Sequence, residues 1–315
     1  MGVNALDSLG VYTPRARISA EELDAALASV HARGVDTKAV AAADEDSVTM
    51  AHAAARDAMR ESAHDPDDLE LVAFATTTPP LAEGDVAGTL AELLGLPRDV
   101  AAVAHTQSAR GGVQALRDAV TADGPALAVA ADSPFGDPGE GVDHAAGAGS
   151  VAFVAGPDGD VRVVDTASYT EEFPGTRYRP RASEDVETYG ATEYERDAYR
   201  TSVAEAVVGL DGTPDALAPT APDGGLPYRG ARAVEGDVAV YERAHDLGDT
   251  GAASALFGLL AAWDDGETDV AAVGYGNGAD AVHLDGRFPV PDERETVAID
   301  YPQYARKRGH IGGDA

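Results

Sequence analysis

Asp44-Glu45-Asp46-Ser47-Val48-Thr49-Met50-Ala51 is the most informative stretch of the chain. Three acids stand directly before a run in which Val48, Ala51, Ala55 and Ala58 recur at helical spacing. Negative charge suits the positive end of a helix dipole, so the segment predicts a helix start followed by a buried stripe of small residues. Toward the N-terminus, Gly10-Val11-Tyr12-Thr13-Pro14-Arg15-Ala16-Arg17-Ile18 reads as strand and turn. Ser19 with Glu22 then forms a capping-box pattern that opens a helix to about residue 32. In the other direction come an apolar strand at 69–75, the turn Thr76-Thr77-Thr78-Pro79-Pro80, and a helix stopped by Leu93-Leu94-Gly95-Leu96-Pro97. A strand at 100–105 runs straight into a helix with Val113, Leu116 and Val120 on one face. Strands at 126–131 and 151–155 bracket a loop rich in Gly, Pro and Asp.

The second half follows the same plan. It has a strand at 161–164, a helix near 193–208, an apolar segment at 216–219, a small-residue helix at 251–263, and strands at 270–273 and 281–284. Strands alternating with helices predict α/β layering. Each half closes on two successive strands after its small-residue helix, a weak internal similarity that points to a duplicated architecture. Residues 168–199, rich in Tyr, Glu and Arg, interrupt the second half and read as an insertion over a pocket or a subunit contact.

Composition narrows the function. The 315 residues hold 23 Lys plus Arg against 55 Asp plus Glu, a formal net charge of −32 spread along the whole chain. Such a field repels phosphate backbones, so nucleic acid is excluded as a partner. Only Lys38 and Lys307 are lysines. Acid-rich, lysine-poor, Ala- and Gly-rich composition fits a protein adapted to molar salt, where screening removes the self-repulsion. No apolar run reaches a membrane-crossing length, and Met1-Gly2-Val3-Asn4-Ala5-Leu6-Asp7 lacks the pattern of a secretory signal, so a cytoplasmic, non-membrane location is expected. There is no cysteine, hence no disulfide, no thiolate metal site and no thiol nucleophile.

In the order in which they occur, several stretches resemble the thiolase-fold condensing enzymes, most closely archaeal hydroxymethylglutaryl-CoA synthases. They are Gly10-Val11-Tyr12-Thr13-Pro14-Arg15, the segment from Asp44 to Ala51, Ala75-Thr76-Thr77-Thr78-Pro79-Pro80, Leu247-Gly248-Asp249-Thr250-Gly251-Ala252-Ala253-Ser254, and Gly274-Tyr275-Gly276-Asn277-Gly278-Ala279-Asp280-Ala281. The resemblance covers roughly residues 3–290 and implies an α/β thiolase-like fold of two similar α-β-α-β-α halves. These would be residues 1–157 and 158–298, followed by a tail at 299–315. It also implies an active site between the halves, where a cysteine at a helix N-terminus accepts the acyl group, a histidine and an asparagine polarise the thioester, and a glutamate serves as acid/base.

Carried onto this sequence, each of these positions holds something else. The cysteine falls on Ser108 in Gln107-Ser108-Ala109-Arg110-Gly111, the glutamate on Thr77, the histidine on Thr220 and the asparagine on Asp249. Loss of groups that act as a unit removes far more than loss of any one. The expectation is a catalytically degenerate, dimeric acyl-CoA-binding or scaffold protein, with no cofactor beyond acyl-CoA as ligand. By the same resemblance, its tail would dock a separately encoded zinc-ribbon/OB-fold acyl-CoA-binding protein, and a thiolase would join the complex. The alternative is an active acyltransferase or thioester hydrolase that uses Ser108, with His105 or His144 as base; a hydroxyl needs such a base because its pKa lies far above that of a thiol.

Gly274-Tyr275-Gly276-Asn277-Gly278 lies between two strands, not before a helix, which argues against a dinucleotide site and for a turn in which Gly276, Asn277 and Gly278 line a pocket. No tyrosine precedes either lysine at the spacing of a short-chain dehydrogenase. No histidine pair has ligand spacing, and Asp65-Pro66-Asp67-Asp68 lacks the form of a calcium loop, so no metal is expected. Arg177, Arg179 and Arg181 could meet an acidic partner or CoA phosphates, while ion pairs to Glu171, Glu172 and Glu184 are the simpler reading.

Overall fold

The computed structural model describes residues 4–27, 32–173, 175–181, 183, 186–188, 192–292 and 294–311. The first half contains β1 Ala5–Tyr12, β2 Ala16–Ser19, α1 Ala20–Leu27, β3 Thr37–Val40, α2 Ser47–Glu61, β4 Leu71–Ala75 and α3 Val86–Leu94. It continues with β5 Ala101–His105, α4 Gly111–Val120, β6 Ala126–Asp132, α5 Gly141–Ala145 and β7 Gly149–Gly156. After it come β8 Arg162–Thr170, α6 Thr192–Val208, β9 Ala216–Pro219, α7 Leu226–Ala231, β10 Ala239–Val240 and α8 Ala244–Leu247. The chain closes with α9 Ser254–Asp265, β11 Asp269–Tyr275, β12 Gly278–Asp285, β13 Val297–Ala298 and α10 Tyr301–Lys307.

Two five-stranded sheets run in the orders β1-β7-β6-β4-β5 and β8-β12-β11-β9-β10. In each, the first two pairings are antiparallel and the last two parallel, so one half repeats the other strand for strand. Helices α4 and α9 lie between the sheets, α2 and α3 cover the outer face of one, and α6 and α7 the outer face of the other. In the middle layer α4 and α9 are sandwiched on both sides, and small residues stand where the two halves approach most closely while Leu256, Phe257, Leu259, Leu260 and Trp263 of α9 fill the rest. At Gly112 a Cβ would stand 1.8 Å from the Ala252 carbonyl oxygen, so only glycine permits that approach of the two halves. Trp263 anchors this core, edge-on to Phe153 at 5.9 Å and to Phe288 at 5.6 Å between ring centres.

The start of α2 works by local chemistry. The Asp46 carboxylate accepts the Thr49 N–H at 2.8 Å, and the Asp46 N–H donates to Thr49 Oγ1 at 2.8 Å, a reciprocal cap. Glu45 accepts from Tyr12 Oη and from the Ala42 N–H, and buried Ser47 donates to the Thr78 carbonyl at 2.8 Å. The acidic motif therefore fixes a helix, a strand end and the threonine turn together.

Two expectations need correction, and one element of the fold was not expected. Only half of the Ser19/Glu22 box forms: Ser19 Oγ accepts the Glu22 N–H at 3.1 Å, but the Glu22 carboxylate accepts the Tyr301 N–H at 3.2 Å instead. The helix it opens is described to Leu27; residues 28–31 lie outside the described residues. The insertion is shorter than 168–199, because β8 runs to Thr170 and α6 begins at Thr192. A third, small sheet, β13-β2-β3, is also present and joins the end of the chain to its beginning.

Candidate functional site

The strand ends β4, β6 and β11 and the N-terminus of α4 converge on a cavity of about 340 Å³. Its wall includes Thr77, Thr78, Ser108, Phe135, Arg177 and Asn277. A wider cavity of about 790 Å³, lined by Arg33, Glu140, Val142, Asp223, Arg229 and Asp249 among others, meets it at Thr176, Arg177 and Val186. The loop between β8 and α6 thus covers a pocket.

Ser108 sits just before α4 with no base engaged. Its Oγ accepts the Arg110 N–H at 3.2 Å, and its carbonyl accepts the Gly111 N–H at 2.9 Å. Ala109, the next residue on the cavity wall, offers no reactive atom. His105 is held elsewhere, with Nε2 on the Asp118 carboxylate at 2.9 Å. His144 is buried on α5, behind the wall of the wider cavity.

Thr77 and Asp249 are brought together, and Arg177 is what joins them. Its guanidinium pairs with the Asp249 carboxylate and reaches Thr77 Oγ1 at 3.3 Å. The pair is nearly dry, with side-chain exposures of 14% for Arg177 and 5% for Asp249. Asp249 also accepts the Gly251 N–H at 2.8 Å and donates its own N–H to the Ala145 carbonyl at 2.7 Å. On the other side, buried Asp132 accepts from Thr77 N–H at 2.9 Å, Thr77 Oγ1 at 2.6 Å, Thr76 Oγ1, Thr78 Oγ1 and the Ala252 N–H at 2.9 Å. The centre of the site is a continuous polar chain of carboxylate, hydroxyls, guanidinium and carboxylate.

Thr220 does not join it. It is buried at the end of β9, where Oγ1 accepts the Tyr275 N–H at 3.0 Å and its carbonyl accepts from Tyr199 Oη at 2.6 Å. Of the predicted turn, Asn277 faces the cavity. Gly276 and Gly278 shape it instead, with φ of +155° and +100° around an Asn277 at +51°. A Cβ on Gly276 would lie 2.0 Å from Ser108 Oγ. Arg110 donates to the Asn277 carbonyl at 2.8 Å and pairs with buried Asp280, which also receives Arg117 and Ser168. Burial pushes the Asp280 carboxyl up, but bonds from Arg110 and Ser168 and the charge of Arg117 outweigh it and hold the group below its ordinary value.

Two of the three clustered arginines pair with acids other than Glu171, Glu172 and Glu184. Arg177 takes Asp249, Arg181 reaches Glu83 at 3.5 Å, and Arg179 lies over the Phe135 ring at 4.0 Å from its centre. Glu171 accepts from Tyr169 Oη, and Glu184 lies outside the described residues. Asp132 was missed; its only signal is a lone acid at the end of an otherwise apolar strand. Among the described residues there is no group of three or more His, Asp or Glu placed to hold a metal ion, and no helix long and apolar enough to cross a membrane.

No family model matches the chain. A hydroxymethylglutaryl-CoA synthase of Methanopyrus kandleri is 30% identical over 302 residues, covering 86% of this chain and 83% of that protein. One from Pyrobaculum neutrophilum is 29% identical and covers 99% of both chains. Among solved structures, an HMG-CoA synthase complexed with CoA superposes with a TM-score of 0.83 at 17% identity, covering 97% of this chain and 90% of the other. A 3-oxoacyl-(acyl carrier protein) synthase III of Pseudomonas aeruginosa superposes at 0.76 with 21% identity, covering 92% of this chain and all of the other. The thiolase-like fold inferred from sequence is the fold observed.

Proposed function

The chain belongs to the hydroxymethylglutaryl-CoA synthase family, and from that premise we propose that it binds acyl-CoA without condensing it, as a scaffold subunit of an acyl-CoA-condensing assembly. The observation that carries the reading is the Arg177 bridge between Asp249 and Thr77. Where the family resemblance puts an acid/base glutamate and a polarising asparagine, this chain puts an uncharged threonine and an aspartate whose charge Arg177 neutralises. With no cysteine in the sequence, nothing remains to form a thioester. A carboxylate at the asparagine position would repel the oxyanion that condensation develops.

Ligand binding draws support from the wider cavity, where Arg33, Arg196 and Arg229 stand beside the paired Arg177 and offset the acids Glu140, Glu187, Asp223 and Asp249, so that its lining is far less acidic than the rest of the chain. Those cations suit the phosphates of a CoA-type ligand. The solved relative complexed with CoA makes that ligand the first to try. Self-association draws support from β5, the outermost strand of its sheet, whose residues Ala101, Ala102 and Ala104 are exposed. A bare apolar edge of this kind is a template for pairing with a second copy. For the thiolase and OB-fold partners, the outer face of α10, with Pro302, Gln303 and Arg306 exposed, is the surface on offer. The spread of acid suits a molar-salt cytoplasm.

Intact-mass spectrometry after incubation with acetyl-CoA in about 3 M KCl, where charge screening is complete within a few ångströms, tests the reading. The expected result is an unmodified mass, no CoA release, and saturable CoA binding by calorimetry. An acetyl adduct on Ser108 with matching CoA release would refute it in favour of an active acyltransferase. Absence of any CoA binding would refute the ligand assignment.

A further inference from the structure

One of the two lysines in the chain is inside it. Lys38, on β3, is 1% exposed, and its Nζ donates to the Asp143 carbonyl and to Tyr304 Oη at 2.8 Å, with the Tyr304 ring centre 4.5 Å away. Asp143 is also 1% exposed; one carboxylate oxygen accepts from Tyr304 Oη at 2.7 Å and lies 3.6 Å from Arg308 and 3.7 Å from His310, while the other has no hydrogen-bond partner among the described residues. Tyr304, Arg308 and His310 all come from the last stretch of the chain. Helix α8, which packs on β3, turns its own charges away: Asp246 pairs with Arg243 and His245 with Glu242.

The wall that this cluster grips belongs to the site. Arg308 donates to the Pro134 carbonyl at 2.7 Å, and Pro134 lines the smaller cavity. Asp143 sits on α5 between Val142 and Ala145, which line the wider one. Ala145 in turn holds Asp249 through its carbonyl.

We propose that residues 301–311 form a latch on the 134–145 wall of both cavities, closed or released according to the charge on the Lys38, Asp143 and His310 cluster. With Lys38 and His310 neutral, Arg308 and Asp143 balance. With both protonated, three cations face the buried carboxylate of Asp143, with only the more distant Asp137 on the His310 side to offset them, and acid releases the latch. Burial lowers the Lys38 pKa to about 7, with Asp143 opposing and Arg308 assisting; burial also lowers that of His310. A released Lys38 recovers its ordinary value near 10.5. The latch therefore tightens as pH rises from 7 toward 10, because only the open state holds the Lys38 proton there.

The absence of cysteine makes this measurable with single introduced thiols. Ala305→Cys places one on the buried face of α10, Val142→Cys places one on the cavity wall, and Ile311→Cys gives an exposed reference. Labelling rates with a methanethiosulfonate reagent in about 3 M KCl, taken relative to the reference at each pH, report opening without any ligand. Both ratios should fall by up to about tenfold per pH unit from 7 to 9, and should lose that slope in a Lys38→Met background. Tyr304→Phe keeps the ring but removes the hydroxyl between Lys38 and Asp143, and should raise both ratios about tenfold at pH 9. Ratios independent of pH, a slope that survives Lys38→Met, a Val142→Cys ratio that stays constant while Ala305→Cys changes, or an unchanged Tyr304→Phe would each overturn the proposal.

Discussion

Replacing Arg177 with methionine keeps much of its volume and removes its charge, leaving Asp249 5% exposed without its counter-ion. Breaking a buried pair from one side costs about 3–5 kcal/mol. Two features of the site set the value at the lower end. Asp249 keeps the Gly251 N–H at 2.8 Å, and it lines a cavity wide enough for water. The expected loss is therefore about 3 kcal/mol. With an unfolding entropy of about 2.1 cal/mol/K per residue over this chain, that lowers the thermal midpoint by about 4–5 °C. Adding Asp249→Asn removes the stranded charge while its amide oxygen still accepts the Gly251 N–H, so the double variant should recover most of the loss. Circular-dichroism melts in about 3 M KCl, with both single variants and the double variant, close the thermodynamic cycle. A single variant within 1 °C of the parent, or a double variant no better than the single, would mean that the bridge is not a desolvated pair and that the site is not self-neutralised.

Three further outcomes follow from the same geometry. Gly276→Ala meets both a φ of +155° and a Cβ 2.0 Å from Ser108 Oγ, so it should cost about 2–3 kcal/mol in a urea titration. Adding Ser108→Gly should return part of that and no more; full recovery would contradict the backbone component. Asp46→Ala removes the reciprocal cap of α2 and should cost about 1 kcal/mol, whereas Asp46→Asn should cost clearly less. For Lys38, whose pKa falls to about 7 in the folded chain, stability should rise between pH 7 and 10 by at most about 1.4 kcal/mol per unit, and Lys38→Met should remove that slope from the melting curves.

What could be read from sequence and what could not divides by the range of the interactions. The start of α2 was legible because the acids that precede it are a local signal, although the reciprocal cap between Asp46 and Thr49 that fixes it came only with the structure. The duplicated sheets were legible because alternation of strand and helix is a local signal repeated twice. By contrast, β13 is two residues long and pairs with Ala16 and Arg17 across nearly the whole chain, which no periodicity announces. The partner of Arg177 lies 72 residues away on a different element, so nearby glutamates looked the better match. Thr220 occupies a plausible position yet spends its hydroxyl on the Tyr275 N–H, because a buried strand end must satisfy its backbone donors. The burial of Lys38 was the least legible feature; only the rarity of lysine marks it in the sequence.

The bridge from Arg177 to Asp249 also governs what any guest molecule must do on arrival. A site whose polar groups wait on solvent gives up loosely held water when it is filled. This protein must give up an ion pair that is tethered within one chain, so the occupant to be displaced is present at a high effective concentration. A guest anion that takes Arg177 strands Asp249, and its apparent affinity is reduced by the fraction of molecules in which the pair is open. Entry would then be timed by the breaking of that pair, and association rates would saturate as guest concentration rises. Selectivity would favour molecules that bring a cation-seeking group and a hydrogen-bond donor together, since only those satisfy both halves of what they part.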